Sequence, residues 1–141
     1  MNVISIIQPW AELIVIGAKH YETRTWSTNA RGRILIHASG KRDKDFERIS
    51  QSGHFKTFLT GDHAYKYLSF GAIIGEATIE GVYACDVARN HITETESVFG
   101  DWRTGHYAWQ MVKPIKYRTA YPVKGQLSIW DFPEELLMHC K

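Results

Sequence analysis

The chain has 141 residues, of which 44% are hydrophobic and 23% are charged, and its formal net charge at pH 7 is +2. These values are typical of an ordinary globular protein, so we expect one domain covering residues 1–141. No stretch approaches the roughly 20 consecutive apolar residues that span a bilayer, so no membrane partner is predicted.

Two features predict a cytoplasmic protein. Residues 1–10 lack the basic start that is typical of a signal peptide. Cys85 and Cys140 lie far apart and match no disulfide or metal-ligand spacing. Free thiols in a reducing compartment are the expected state.

The first part of the chain predicts a strand, a helix and a second strand. Residues Val3–Ile7 are apolar and mostly β-branched, which favours a buried strand. Pro9 suits the first turn of a helix, and Gly17 suits the left-handed residue that ends one. After Gly17 the pattern changes: Tyr21, Thr23 and Thr25 alternate with Glu22, Arg24 and Trp26, as in a strand with two different faces.

Three charged residues of this block are expected to meet. Glu22 and Arg24 are two positions apart on the predicted strand, so they share one face. Lys19 has the opposite parity and can join them only from the bend before the strand. The sequence therefore predicts a Lys19, Glu22 and Arg24 cluster on a cleft wall, and the alternative is a buried ion-pair cluster that fixes the register of the sheet.

The middle of the chain is less regular. A turn at residues 31–33 precedes a strand at Ile34–His37, in which isoleucines face away from Leu35 and His37. Charged residues surround apolar ones at helical spacing in Lys41–Ile49, and a second helical pattern at His54–Leu68 is interrupted by a glycine. A long strand is predicted at Gly71–Tyr83, where Gly75 suggests a bulge or a close backbone approach.

The rest of the chain predicts two strands and two short helices. The helices are expected at Thr93–Phe99 and after Pro133, and the strands at Gly105–Val112, ended by Pro114, and at Gly125–Trp130. Five or six strands with helices inserted early favour an α+β fold over a parallel doubly wound sheet. We predict a small mixed β-barrel with flanking helices.

Charge is segregated along the chain. Residues 23–42 and 102–130 contain basic residues and no acid, whereas residues 76–101 contain six acids and only Arg89 as a base. If the fold joins the two basic stretches, they form a positive face suited to phosphates. The alternative is an evenly solvated surface.

Several chemical motifs are absent from the sequence. There is no glycine-rich phosphate loop, no Gly-x-Ser-x-Gly elbow and no paired cysteine or histidine spacing for zinc. The seven histidines are scattered singly. No cofactor and no metal site are therefore predicted, and the signature of the RNA-recognition motif is also missing.

The block IQPWAELIVIGAKHYETRTW, with the closing segments YAW, KP and PVKGQL, resembles the ASCH domain of the PUA-like superfamily. The resemblance covers nearly the whole chain and is weakest over residues 40–70 and 86–100. It implies a small β-barrel with flanking helices, related to RNA-modification domains. It also implies a cleft near the segment that contains Lys19, Glu22 and Arg24.

The resemblance implies several possible activities. ASCH proteins are regarded as RNA-binding or coactivator-associated modules, one bacterial branch hydrolyses the acetyl amide of N4-acetylcytidine, and another member is described as a ribonuclease. In the amidohydrolase branch the chemistry uses a lysine, a threonine three positions later and a distant glutamate. Lys19 matches that lysine, Glu22 stands at the threonine position, and Glu94 or Glu96 is the candidate for the distant glutamate.

These observations predict RNA or nucleotide binding through a basic face and a charged cleft. One alternative is a metal-independent hydrolase in which Lys19 acts as base or nucleophile with Glu22 and Glu96, on RNA or a modified nucleoside. A protein-interaction domain is the other alternative, and the oligomeric state stays open. The candidate substrate-binding residues are Trp10 and Trp26 for base stacking, Arg24, Arg31 and Arg33 for phosphate, and the Ser128 hydroxyl.

Overall fold

The computed structural model describes residues 1–141 and confirms the predicted α+β class. The strands are β1 (Asn2–Ile6), β2 (Tyr21–Arg24), β3 (Gly32–Ala38), β4 (Ala72–Ala84), β5 (Tyr107–Pro122) and β6 (Ile129–Asp131). The helices are α1 (Trp10–Val15), α2 (Phe46–Ser50), α3 (Gly53–Phe58), α4 (Cys85–Ala88) and α5 (Glu94–Phe99). No helix is both long enough and apolar enough to span a bilayer.

The six strands form one mixed sheet in the order β2-β5-β4-β3-β1-β6, which curls into a half-barrel. Only β1 and β3 pair in parallel, and α1 lies in the connection between them along with β2. The register places Ser5 of β1 beside His37 of β3. This pairing brings two polar side chains together from segments that are remote in sequence.

The isoleucines of strand β3 face away from Leu35 and His37, as predicted, and both faces of the strand are buried. Ile34 and Ile36 belong to the larger apolar cluster, which also receives α1, while Leu35 belongs to a second cluster that contains Trp130. His37 lies on the Leu35 face and is completely buried. Burial on both faces explains why this strand reads as a nearly continuous apolar run.

Helix α1 ends as the sequence predicts. Gly17 has a φ of +79°, the left-handed conformation that glycine adopts at low cost. The carbonyl of Leu13 then accepts hydrogen bonds from the N–H groups of Ala18 and Lys19, both at 2.9 Å. These bonds reverse the chain and fix the position from which Lys19 enters the site.

The predicted end of the fifth strand at Pro114 is wrong. Strand β5 continues through Pro114 to residue 122, because Lys113 adopts a φ of +51° and the register against β4 shifts at this point. Proline is tolerated at such an irregularity, where its missing N–H removes no ladder bond. The expected irregularity at Gly75 is confirmed, since the β4–β5 register also shifts between Ile73 and Gly75.

Two other predicted boundaries need correction. The helical pattern at His54–Leu68 ends early, because α3 stops at Phe58 and Gly61 has a φ of +58°. The last strand does not begin at Gly125, because Ser128 has a φ of +60° and only Ile129–Asp131 is extended. Residues 123–128 instead form an irregular segment beside the C-terminal end of β1.

Candidate functional site

The carboxylate of Glu96 in α5 binds the backbone of the bend before β2. This carboxylate accepts hydrogen bonds from the backbone N–H groups of His20 at 2.8 Å and Tyr21 at 3.3 Å. Helix α5 presents Glu96 because the hydroxyl of Thr93 caps its first turn, accepting from the N–H of Glu96. Glu94 is exposed, so of the two candidate glutamates only Glu96 reaches the Lys19 segment.

Lys19, Glu22 and Arg24 form a connected cluster. Arg24 donates from Nε to Glu22 Oε2 at 2.8 Å and from Nη2 to the carbonyl of Ser5 at 2.7 Å. Lys19 Nζ donates to the carbonyl of Tyr21 and lies 3.8 Å from Glu22 Oε1. The two carboxylate oxygens are thus divided between the two cations, with the shorter contact to arginine.

Burial dominates the electrostatics of Lys19. Its side chain is 1% exposed, and this desolvation lowers its pKa from the ordinary value of 10.5. The negative charges of Glu22 and Glu96 oppose the shift. Since Arg24 holds Glu22 closely, the lysine amine has only one close acceptor within the chain, the Tyr21 carbonyl.

The cluster lies in a cleft with a volume of about 440 Å³. Strand β1, helix α1, strand β2 and the end of α5 each contribute to its wall. The lining residues are Ser5, Ile6, Ile7, Trp10, Lys19, Glu22, Thr23, Arg24, Val98, Phe99, Gly100 and Asp101. An aromatic residue, a guanidinium and a buried amine therefore line one concave surface, in which a few polar groups stand among apolar ones, as is common in ligand pockets.

Thr23 also lines the cleft, although strand parity places it opposite Glu22. Its hydroxyl accepts a hydrogen bond from the N–H of Asp101 at 2.9 Å. Asp101 itself is held by Arg103 through contacts of 2.6 to 3.1 Å, and Arg103 lowers the pKa of that carboxyl to about 2. The chain after α5 thus closes the cleft against the edge strand β2.

The other proposed substrate-binding residues do not line this cleft. Trp26 packs edge-on against Trp109, with ring centroids 4.8 Å apart. Arg31 donates to the backbone carbonyls of Thr28 and Ala30 and so fixes its own turn. Arg33 binds Glu76 and Glu134, and Ser128 lines a second cavity that adjoins the cleft.

The fold pairs part of the basic sequence stretches with acids. Four of their cations contact carboxylates that lie outside these stretches: Arg24 with Glu22, Arg33 with Glu76, Arg103 with Asp101 and Lys116 with Glu12. The remaining ones form no ion pair within the chain: Arg31, Lys41, Arg42, Lys113, Arg118 and Lys124. The charge available to an anionic partner is therefore smaller than the sequence stretches suggest.

Sequence reasoning missed several residues of the site. Val98, Gly100 and Asp101 reach the cleft only because α5 packs near β2, which no local pattern reveals. His37, which lines the second cavity, was marked in the sequence, because a histidine inside an otherwise apolar strand needs a specific hydrogen-bonding partner. Isolated histidines are nevertheless common in protein cores, so the signal was not decisive.

The model of the ASCH domain family matches residues 4–121. Activating signal cointegrator 1 from Mus musculus is 54% identical over 135 residues, and the same protein from Homo sapiens is 49% identical over 135 residues. Each match covers 94% of this chain but only 22% of the relative. The chain thus spans about a fifth of the length of the curated relatives that it matches.

The solved structures support the fold. A crystal structure of ASCH from Zymomonas mobilis is 15% identical, with a TM-score of 0.56, and the match covers 95% of this chain and 88% of that one. A point mutant of the same protein gives a TM-score of 0.57 over 95% of this chain and 91% of that one. At this identity the likeness concerns the backbone and not the chemistry of the site.

Proposed function

Because this chain belongs to the ASCH domain family, we propose that it binds RNA or a nucleotide, with a base in the cleft and phosphate beside Arg24. The observation that carries the proposal is the shared lining of the cleft by Trp10, Lys19 and Arg24. An aromatic face stacks on a base, and a base contact of this kind contributes about 1 to 3 kcal/mol. A guanidinium supplies paired donors that match phosphate oxygens.

The geometry of Arg24 supports this role. Its Nε and Nη2 are fixed by Glu22 and by the Ser5 carbonyl, whereas Nη1 makes no hydrogen bond within the chain. The side chain is 25% exposed. The protein has therefore oriented the guanidinium in advance and left one nitrogen free, which lowers the entropy cost of binding an anion.

The test is a fluorescence anisotropy titration with short single-stranded RNA of mixed sequence. Binding should weaken steeply as salt rises, because phosphate contacts release bound cations. No binding at low salt would overturn the proposal.

A matched pair of variants locates the binding surface. Val98 lines the cleft and is 45% exposed, whereas Val87 is 61% exposed on α4 and lines neither the cleft nor the second cavity. Val98→Glu places a carboxylate at the cleft and should weaken RNA binding about tenfold or more, since like charges are brought together. Val87→Glu adds the same charge elsewhere and should have little effect. Equal effects of the two substitutions would place the RNA outside the cleft.

A second candidate function is hydrolysis, and the environment of Lys19 favours it. A buried lysine whose pKa is lowered can act as general base or nucleophile near neutral pH. Glu22 and Thr23 line the same cleft. The expected substrate is an acylated nucleoside, with N4-acetylcytidine as the probe.

The test is incubation with N4-acetylcytidine followed by chromatography for free cytidine. Release by the wild-type chain and its loss in Lys19→Met would support the hydrolase. Absence of cytidine, or release by Lys19→Met at the wild-type rate, would contradict it. A protein-interaction role would instead be favoured by partners that persist after nuclease treatment.

A further inference from the structure

A second cavity, with a volume of about 790 Å³, adjoins the cleft. Ser5, Ile7 and Arg24 line both, so the two form one continuous concave surface. The rest of the second cavity is built by the end of β3, by residues 39–40, by Gly71 and by the segment 123–128. Its lining includes the cations Arg24 and Lys124 and no carboxylate. The charge of this cavity suits a phosphate.

His37 supplies a buried acceptor to this cavity. The residue is 0% exposed, and its Nε2 lies 2.7 Å from the carbonyl of Val123, so Nε2 carries the proton and donates. Nδ1 is then an acceptor, and it has no hydrogen-bond partner in the protein. Burial lowers the pKa of His37, which keeps the ring neutral and the Nδ1 lone pair available at neutral pH. A buried acceptor without a donor is unfavourable, so a donor is expected here.

Ser5 supplies a donor beside that acceptor. Its Oγ accepts a hydrogen bond from Trp130 Nε1 at 3.2 Å, and its own proton has no acceptor within the chain. Ser5 and His37 are neighbours in the β1–β3 register. A neutral hydroxyl group both donates and accepts, so it matches a serine O–H and an imidazole nitrogen together.

The backbone of Gly125 packs directly against these two groups. A Cβ at residue 125 would lie 2.7 Å from Ser5 Oγ and 2.9 Å from His37 Nδ1. The backbone of Gly125 is not in the left-handed region, so the close approach and not the φ angle accounts for the glycine. Any side chain here would press against both polar groups.

We propose that the second cavity binds the ribose-phosphate of the nucleotide adjacent to the one in the cleft, with the phosphate near Arg24 and Lys124 and the ribose 2′-hydroxyl held by Ser5 and by His37 Nδ1, which a small outward shift of Gly125 uncovers. This inference rests on the proposed nucleic-acid function and makes it more specific. The ligand is then a strand of RNA, since a free nucleoside cannot occupy both parts of the surface. The 2′-hydroxyl is the group that distinguishes RNA from DNA.

The experiment compares one mixed-sequence single strand made as RNA, as 2′-deoxy and as 2′-O-methyl nucleic acid, each titrated by anisotropy into the full chain. The wild-type chain should bind RNA about ten- to a hundredfold more tightly than the other two, which lack the 2′ donor. His37→Gln keeps an N–H for Val123 and removes the Nδ1 acceptor, so it should abolish this preference while binding of the deoxy strand is unchanged. Gly125→Ala should abolish it by steric closure.

The control is His91→Gln, an exposed histidine outside both cavities, which should retain the preference. Equal binding of RNA and DNA by the wild-type chain, or a preference that survives in both variants, would overturn the inference and leave Nδ1 to a water molecule. Binding of neither strand would overturn the nucleic-acid function itself. If the variants do not fold, the ¹⁵N chemical shift of His37 Nδ1 in the wild-type chain decides, because only RNA should change it.

Discussion

The guanidinium of Arg24 and the carboxylate of Glu22 meet at 2.8 Å on one face of β2, and Arg24 lines both the cleft and the second cavity. This pair joins the two parts of the concave surface. The same guanidinium also binds the carbonyl of Ser5 in β1. Its orientation is therefore fixed by an edge strand and by a strand near the opposite edge of the sheet.

Replacing Arg24 by lysine should weaken RNA binding although the charge is kept. A lysine has no planar fork, so it cannot contact Glu22, Ser5 and a phosphate at once. We expect a loss of about ten- to a hundredfold in affinity, corresponding to roughly 1.5 to 3 kcal/mol for a charged hydrogen bond. The measurement is the anisotropy titration at fixed salt.

The control for this substitution is Arg48→Lys. Arg48 is 71% exposed, contacts Asp45 and lines neither the cleft nor the second cavity, so its replacement should leave affinity unchanged. If both arginines responded equally, the effect would reflect general electrostatic attraction and not the orientation of Arg24.

The buried amine of Lys19 should make stability depend on pH in the alkaline range. Burial lowers its folded-state pKa below 10.5, so between these two values the unfolded chain binds more protons than the folded one. The free energy of unfolding should therefore rise with pH across this window. In Lys19→Met this contribution is absent.

Urea unfolding at pH 7 and pH 10 checks this, read as the change in the stability difference between the wild-type chain and Lys19→Met. Taking this difference removes the contributions of the tyrosines and cysteines that also titrate at high pH, because both chains contain them. The free energy of unfolding of the wild-type chain, relative to that of Lys19→Met, should be higher at pH 10 than at pH 7. A difference that stays constant, or moves the other way, would show that the amine is not desolvated in the folded state.

The Glu22 and Arg24 pair was predictable because it depends only on strand parity, and Gly17 because a helix end is local. The position of Lys19 beside the Glu22 and Arg24 pair was predictable as well, because it depends on the local bend before β2. By contrast, the contact of Ser5 with His37 depends on the parallel register of β1 and β3, and the passage of β5 through Pro114 depends on a bulge opposite β4. Neither can be read from the sequence near those residues. The site divides in the same way, since strand β2 and helix α5 were foreseen, whereas the packing of α5 beside β2 and the irregular course of segment 123–128 were not.

Glu76 should contribute stability at neutral pH that is lost in acid. Its carboxylate accepts from Arg33 Nε at 2.8 Å and Nη2 at 3.0 Å, and from the Tyr117 hydroxyl at 2.7 Å. The hydrogen bonds from Arg33 lower its pKa from the ordinary value of 4.5. The folded state therefore prefers the ionised form, and the stabilisation disappears as pH falls through the folded-state pKa.

We expect Glu76→Gln to lower the free energy of unfolding by about 1 to 3 kcal/mol at pH 7, because a buried charged hydrogen bond is lost. The gap should narrow as pH is lowered below 4.5, where the wild-type carboxyl becomes protonated. Glu80→Gln, at an exposed position of the same strand, is the control and should be nearly neutral. A gap that is as large in acid as at pH 7 would mean that packing, and not charge, holds Glu76.

Gly75 should tolerate no side chain. A Cβ there would lie 2.2 Å from the carbonyl oxygen of Ile115 and 2.9 Å from Val15 Cγ1, at the place where the β4–β5 register shifts beneath α1. Overpacking against backbone typically costs about 1 to 3 kcal/mol. We therefore expect Gly75→Ala to lower the urea midpoint clearly.

Gly40→Ala is the matched control, because its Cβ would meet nothing closer than 3.8 Å and neither glycine has a positive φ. The control should be neutral or slightly stabilising, by up to about 1 kcal/mol, since alanine restricts the unfolded chain. If the two variants unfolded at the same midpoint, the close approach of β5 to Gly75 would not be a feature of the folded protein.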